Sequence, residues 1–177
     1  QIFYETQSPY IIPTLNDFIN FAQLAPFESI AFFEFIPYGN TKFANGVYTC
    51  SNDDICYANW IHACLLKERF DTIQDQFQFM SFFSCATDYI VNKNPTDQAQ
   101  ECINQVYDDG PNLWVALNEC AHTDNAVREA MRLKTEAIKL KQIPEITIND
   151  ETVTDTIGDS LLQSLCKRFE SIKPRAC

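Results

Sequence analysis

The chain contains 177 residues, 46% of them hydrophobic, and carries a formal net charge of −11 at pH 7. This negative charge opposes binding to the phosphates of nucleic acids and to anionic lipid surfaces, so nucleic acid is not an expected partner. The length is enough for one hydrophobic core, and no apolar run is long enough to cross a bilayer. We therefore predict a single domain over residues 1–177 with no transmembrane segment.

The N-terminal part of the sequence predicts a strand, a turn and a helix, followed by a second strand. Residues 1–5 have strand character, and apolar residues at helical spacing predict a helix that ends near Leu24. Ser8 precedes Pro9, which is typical of a helix start with serine as the N-cap. The apolar run 29–37 predicts a buried central strand of a mostly parallel sheet.

The middle of the sequence is mainly helical, and its end returns to strands. A turn is predicted at Asn45-Gly46, and hydrophobic periodicity then predicts helices over residues 57–67, 70–92, 96–107, 112–120 and 124–140. Thr96 and Thr123 are the predicted N-caps of the third and fifth of these helices. The last predicted elements are a strand over residues 145–148, a turn at 149–150, a return strand around 152–153 and a helix over 156–169.

Eight cysteines, an even number, predict disulfide bonds and an oxidising compartment. They are Cys50, Cys56, Cys64, Cys85, Cys102, Cys120, Cys166 and Cys177. Structural disulfides are the first interpretation, and the alternative is that one exposed pair forms a redox centre. Zinc is not expected, because Cys50, Cys56 and Cys64 lack the two-residue spacing of paired zinc ligands. The sequence therefore predicts neither a metal site nor a cofactor.

Motifs spread along the chain are similar to those of one known family. Cys56, Asn59 and Cys64 have the spacing Cys-x-x-Asn-x-x-x-x-Cys, which is the second half of the signature of the gamma-interferon-inducible lysosomal thiol reductase (GILT) family. The first half, which begins at Cys50, departs from the family pattern. Other segments that resemble family motifs are Phe3-Tyr4-Glu5, Pro37-Tyr38-Gly39-Asn40, Ile143-Pro144-Glu145-Ile146-Thr147-Ile148-Asn149, Leu162-Gln163-Ser164-Leu165-Cys166 and Lys173-Pro174-Arg175-Ala176-Cys177. The resemblance thus extends over nearly the whole chain.

This resemblance implies an α/β, thioredoxin-like fold with a helical insertion stabilised by disulfides. The core would comprise about residues 1–51 and 122–177, and the insertion about residues 52–121. Thioredoxin-like sites place a cis-proline opposite the active-site cysteines, and Pro144 matches that position.

Ser8 and Ile11 stand where the family has the two cysteines of its Cys-x-x-Cys motif. Thiol–disulfide exchange requires one thiolate to attack a sulfur and a second thiol to resolve the mixed disulfide, and neither residue supplies a thiol. No motif places His62 or His122 beside Ser8 as a base, so serine hydrolysis is not expected. We predict that Ser8, Ile11 and Pro144 are vestigial positions of a reductase site that retains no catalytic residue.

The predicted function is therefore non-catalytic. GILT-like proteins that lack the cysteine pair occur in insects, including mosquitoes, and the chain resembles them. We expect a secreted protein that binds a protein or cell-surface partner, and the alternative is an oxidoreductase that uses a displaced cysteine pair. An extracellular location is favoured over the endolysosomal lumen, because the sole Asn-x-Ser/Thr sequence, Asn94-Pro95-Thr96, contains a proline that prevents glycosylation. In the family members that reach lysosomes, the N-linked sugar carries the sorting signal.

The cysteine content generates the first testable prediction. If all eight cysteines are in disulfides, alkylation of the purified protein under denaturing, non-reducing conditions should leave every cysteine unlabelled in peptide mass spectrometry. The same protein, reduced before alkylation, provides the control for complete labelling. Two labelled cysteines without reduction would contradict the prediction and favour the displaced cysteine pair.

Overall fold

The computed structural model describes residues 1–6, 8, 10–11, 33–88, 94–153 and 161–168. Within these ranges, strands and helices form a mixed α/β architecture. The predicted helix that ends near Leu24 lies outside the described residues, and so does Cys177. No helix in the described ranges is long and apolar enough to cross a membrane.

Six strands are described, and four of them form one sheet in the order β2-β1-β5-β6. The strands are β1 (Ile2–Tyr4), β2 (Phe35–Pro37), β3 (Lys42–Ala44), β4 (Val47–Thr49), β5 (Glu145–Ile148) and β6 (Glu151–Thr152). Strand β1 pairs in parallel with β2, whereas the β1–β5 and β5–β6 pairs are antiparallel. The positions of β1, β2, β5 and β6 confirm the predicted strands.

The predicted sheet type and the predicted central position of the second strand are wrong. The sheet is mixed rather than mostly parallel, and β2 lies last in the described strand order rather than at the centre. All residues of β2 are nevertheless buried, because aromatic rings cover it. The ring of Phe35 lies 4.9 Å from that of Phe79 and 5.8 Å from those of Phe70 and Phe83, centroid to centroid. An apolar strand sequence therefore indicated burial but not a central position.

Strands β3 and β4 form a separate antiparallel hairpin. The turn between them, Asn45-Gly46, has φ values of 53° and 81°, as a two-residue hairpin turn requires. The sequence predicted this turn but not its strands. Every residue of the hairpin strands except Tyr48 is exposed, so no buried face imposes the alternating pattern by which a strand is recognised.

Six helices are described, five of them in the middle of the chain. They are α1 (Asp53–Glu68), α2 (Ile73–Asp88), α3 (Pro95–Val106), α4 (Gly110–Thr123), α5 (Asn125–Ala137) and α6 (Leu161–Cys166). The five predicted central helices are confirmed, with ends that differ by a few residues. Helix α1 begins earlier than predicted because Asn52 caps it, its side-chain oxygen accepting the Ile55 amide at 2.8 Å.

Both predicted threonine caps are wrong. Asn94 caps α3 by accepting the Thr96 amide at 2.8 Å, and Pro95 takes the first turn, where its missing N–H costs no hydrogen bond. Asp124 caps α5, whereas the Thr123 hydroxyl donates back to the carbonyl of Glu119 within α4. In both cases an Asn or Asp within two residues of the predicted threonine makes the cap.

Three disulfides join described residues, and all lie in or at the edge of the helical region. Cys64–Cys120 links α1 to α4, and Cys85–Cys102 links α2 to α3. Cys50–Cys56 links the residue after β4 to the first turn of α1. Cys166 is also disulfide-bonded, and no cysteine within the described ranges is free. The predicted disulfide bonding of this region is therefore confirmed.

A buried polar pair joins the sheet to α1. The Tyr4 hydroxyl lies 2.9 Å from Nδ1 of His62, and three phenylalanine rings surround the imidazole. These rings belong to Phe79, Phe82 and Phe83. Because His62 is only 3% exposed, desolvation of its charged form lowers its pKa from 6.5 to about 3. His62 thus remains neutral in the folded protein at mildly acidic pH.

This burial predicts a pH-dependent stability. Below pH 6.5 the unfolded chain protonates His62 and the folded chain does not, so the free energy of unfolding should fall as the pH falls from 6.5 towards 3. The free energy of unfolding lost through His62 should reach about 2 kcal/mol at pH ~5, because each pH unit below 6.5 contributes about 1.4 kcal/mol. Urea unfolding across this range measures the slope.

Two variants make the test specific to this imidazole. His62→Gln keeps a neutral, hydrogen-bonding side chain and should lose this part of the slope. His122→Gln removes an exposed imidazole on α4 and serves as the matched control. Equal pH slopes in His62→Gln and the unaltered protein would show that another group is responsible.

Candidate functional site

The sheet brings the predicted site residues to one end. Strand β1 is followed by Ser8 and Ile11, and β5 is preceded by Pro144. Because β1 and β5 are antiparallel, with Phe3 opposite Glu145, the end of β1 lies beside the start of β5. The sheet register therefore places the segment after β1 and the segment before β5 at the same edge.

A tight turn follows β1 and contains both positions that match the family's cysteines. The Ser8 amide donates to the Glu5 carbonyl at 3.0 Å, and the Ile11 amide donates to the Ser8 carbonyl at 3.0 Å. Ile11 is completely buried, and Ser8 is 8% exposed. Positions 8 and 11 are thus one backbone turn apart, and the second is sealed from solvent.

Pro144 follows a cis peptide bond, as the resemblance implies. The carboxylate of its neighbour Glu145 is buried and fastens the loop before β5. One oxygen accepts the Lys141 amide at 2.6 Å and the Gln142 amide at 3.3 Å, and the other accepts the Thr152 hydroxyl at 2.8 Å. Sequence reasoning missed this role, although a lone acidic residue in an apolar strand is a signal that its partners lie nearby.

The side chain of Glu5 packs against the turn that follows β2. Gly39 adopts φ +56°, and a Cβ atom on it would lie 2.5 Å from the Glu5 Cβ, so only glycine fits. The Asn40 side-chain amide donates to the Glu5 carboxylate at 3.2 Å. The Phe3-Tyr4-Glu5 and Pro37-Tyr38-Gly39-Asn40 motifs are therefore parts of one contact.

Asn59 ties the helical region to the turn after β1. Its side-chain oxygen accepts the Thr6 amide at 3.0 Å, and the residue is completely buried in α1. Asn59 is the asparagine of the predicted signature, so that signature has a structural role here. It fixes the backbone two residues before Ser8.

Both histidines of the chain are described, and each is engaged away from Ser8. His62 is buried against Tyr4, and Nδ1 of His122 lies 2.7 Å from the Asn118 carbonyl on α4. Within the described ranges no group of three or more His, Cys, Asp or Glu residues is arranged to hold a metal ion.

The Asn59 contact generates a stability prediction. Asn59→Ala should lower the free energy of unfolding by about 1–3 kcal/mol, because the Thr6 amide stays buried without an acceptor. Hydrogen exchange at the Thr6 amide should also accelerate. Asn112→Ala, at an exposed position of α4, is the matched control. Equal stability of the two variants would contradict the role given to Asn59.

Comparison with known proteins gives one family match. The family model described as gamma interferon inducible lysosomal thiol reductase (GILT) matches residues 1–106, which include the turn after β1, the Pro37–Asn40 motif and Asn59. No curated protein matches the chain. The matched region covers more than half of the 177 residues, and the chain belongs to the GILT family.

Proposed function

We propose that this protein is a non-catalytic member of the GILT family that has kept a thioredoxin-like scaffold and acts by binding. The strand order supports the scaffold: a parallel β1–β2 pair continues into the antiparallel strands β5 and β6, with cis-Pro144 at the start of the second half. Helices α1–α4 lie between β4 and α5, which supports a single domain with a core of about 1–51 and 122–177 and an insertion of about 52–121.

The observation that carries the proposal is the pair of residues at positions 8 and 11. A reductase needs a thiolate at the start of the helix and a second thiol one turn later. Ser8 cannot form a mixed disulfide, and Ile11 offers only a buried hydrocarbon side chain. The surrounding contacts of Glu5, Asn59 and Glu145 persist without the sulfurs that they would orient.

Without a thiol pair at positions 8 and 11, the function that we assign to the scaffold is the binding of a partner. The partner is a protein or a cell surface, and the charge of −11 favours partners with neutral or basic surfaces. An oxidising compartment is supported by the disulfides that join described residues. We place the protein in an extracellular fluid, because its one Asn-x-Thr sequence contains Pro95 and Asn94 serves as a helix cap.

The proposal predicts that reductase chemistry can be restored by two substitutions. In a Ser8→Cys, Ile11→Cys variant, the new sulfurs should form a reducible bond, and the protein should gain turnover on a denatured disulfide substrate. Loss of the buried Ile11 side chain should cost about 1–3 kcal/mol of stability, which a disulfide-linked core should tolerate. Either single variant should turn over poorly, because one thiol of the pair is missing.

A second cysteine pair controls for the mere presence of two nearby thiols. Asn112→Cys, Val115→Cys places a pair at the same spacing on an exposed face of α4 and should not confer turnover. A folded Ser8→Cys, Ile11→Cys protein that forms the bond yet never exchanges with substrate would contradict a preserved reductase scaffold.

A further inference from the structure

The three disulfides that join described residues differ in their access to solvent. Cys50 and Cys56 are both partly exposed, whereas each of the other two pairs contains one cysteine that is only 1% exposed. Those shielded residues are Cys64 and Cys102. An attacking thiolate can approach either cysteine of Cys50–Cys56 but only one cysteine of each other pair, so access favours reaction at Cys50–Cys56.

A hydroxyl group lies against one sulfur of this exposed pair. Oγ1 of Thr41 is 3.1 Å from Sγ of Cys50, and Thr41 itself is buried. Because a disulfide sulfur carries no proton, the hydroxyl is the donor. When the disulfide opens, the same donor stabilises negative charge on the Cys50 sulfur, which makes Cys50 the better leaving group.

Opening this disulfide also disturbs the chain least. Its cysteines are 6 residues apart in sequence, compared with 17 and 56 residues for the other two pairs, so it constrains the smallest loop. The start of α1 is held independently, because Asn52 accepts the Ile55 amide. The fold should therefore survive when Cys50 and Cys56 are reduced.

Most of the charged residues next to this disulfide in the sequence are acidic. Asp53 and Asp54 are exposed and lie with Cys56 in the first turn of α1, whereas Lys42 follows Thr41. These three residues leave a local negative charge on a chain that is already strongly acidic. An anionic thiol is repelled, and a cationic or neutral one is not.

We propose that Cys50–Cys56 is a thiol-exchange site that reacts with small thiols lacking net negative charge. The reagent thiolate attacks Sγ of Cys56, the S–S bond breaks, and Cys50 leaves as a thiolate with the Thr41 hydroxyl bonded to it. A second reagent thiolate attacks the reagent sulfur of the mixed disulfide, which releases the reagent disulfide and Cys56 as a thiolate. The Cys50–Cys56 pair has then been reduced by two electrons in total, and solvent protonates the two thiolates. This stoichiometric reaction goes beyond the proposed binding function and does not depend on the lost Cys-x-x-Cys pair.

The site of reaction is tested with cysteamine under native conditions at neutral pH. Samples are quenched with acid, alkylated and mapped by peptide mass spectrometry while circular dichroism follows the helices. We expect an early cysteamine adduct on Cys56 with a free Cys50 thiol, intact Cys64–Cys120 and Cys85–Cys102 bonds, and an unchanged helical signal. Earlier opening of either other pair, an adduct on Cys50, or opening only with loss of helix would overturn the proposal.

The reagent class is tested by comparing cysteamine with glutathione at equal thiolate concentration. Each rate is divided by the rate of the same thiol with hydroxyethyl disulfide, an uncharged reference that removes differences in intrinsic nucleophilicity. Cysteamine should react severalfold faster at low ionic strength, and added salt should reduce the difference. Equal normalised rates would refute the selection by charge.

The part played by Thr41 is tested by substitution. Thr41→Val removes the donor and should slow opening about three- to tenfold, whereas Thr41→Ser keeps a hydroxyl and should restore the rate. Thr49→Val, at an exposed position of β4, is the matched control and should react like the unaltered protein. An unchanged rate in Thr41→Val would show that the Thr41 hydroxyl does not make Cys50 the better leaving group. If that variant does not fold, the position of the first adduct in the unaltered protein still decides the proposal.

Discussion

The rest of the fold is oriented by the attachment of helix α1 to the end of strand β1 and to the turn that follows it. Two buried polar contacts make this attachment specific: the Tyr4 hydroxyl with His62, and the Thr6 amide with Asn59. Apolar packing alone does not fix the rotation of a helix against a strand, whereas two buried hydrogen bonds permit few alternatives. The Cys64–Cys120 bond then joins α4 to α1.

The contacts around the candidate site hold backbone rather than perform chemistry. Glu5 meets Gly39 and Asn40, Asn59 holds the Thr6 amide, and Glu145 fastens the loop before β5. None of these contacts requires a sulfur atom at positions 8 and 11. The backbone around a site can therefore keep its structure without the reacting groups. This is the physical basis of the proposed non-catalytic function.

Periodicity and motif spacing predicted the features that follow from burial and local geometry. The central helices were recognised by their apolar spacing, and β1, β2 and β5 by their apolar or β-branched runs. The exposed strands β3 and β4 were not, because no buried face imposed a pattern on them. The helix caps at Asn94 and Asp124 were missed because several neighbouring residues were chemically acceptable caps.

Contacts between distant parts of the chain were beyond sequence reasoning. Cysteine positions do not determine pairing, so the Cys50–Cys56, Cys64–Cys120 and Cys85–Cys102 bonds required the fold. The same is true of Asn59, whose partner Thr6 is 53 residues away in sequence and adjacent only in the fold. Family motifs identified the residues around the site, but the geometry assigned their roles.

The non-catalytic function is tested most directly by the turnover of the unaltered protein on a denatured disulfide substrate. Turnover is measured at acidic and at neutral pH with glutathione as reductant, because its negative charge disfavours reaction at Cys50–Cys56. A non-catalytic protein should turn over the substrate no faster than the heat-inactivated protein does with the same reductant at either pH, because neither Ser8 nor Ile11 can carry a mixed disulfide. Repeated turnover above that control at either pH would contradict a non-catalytic protein and would locate reductase chemistry at another cysteine pair.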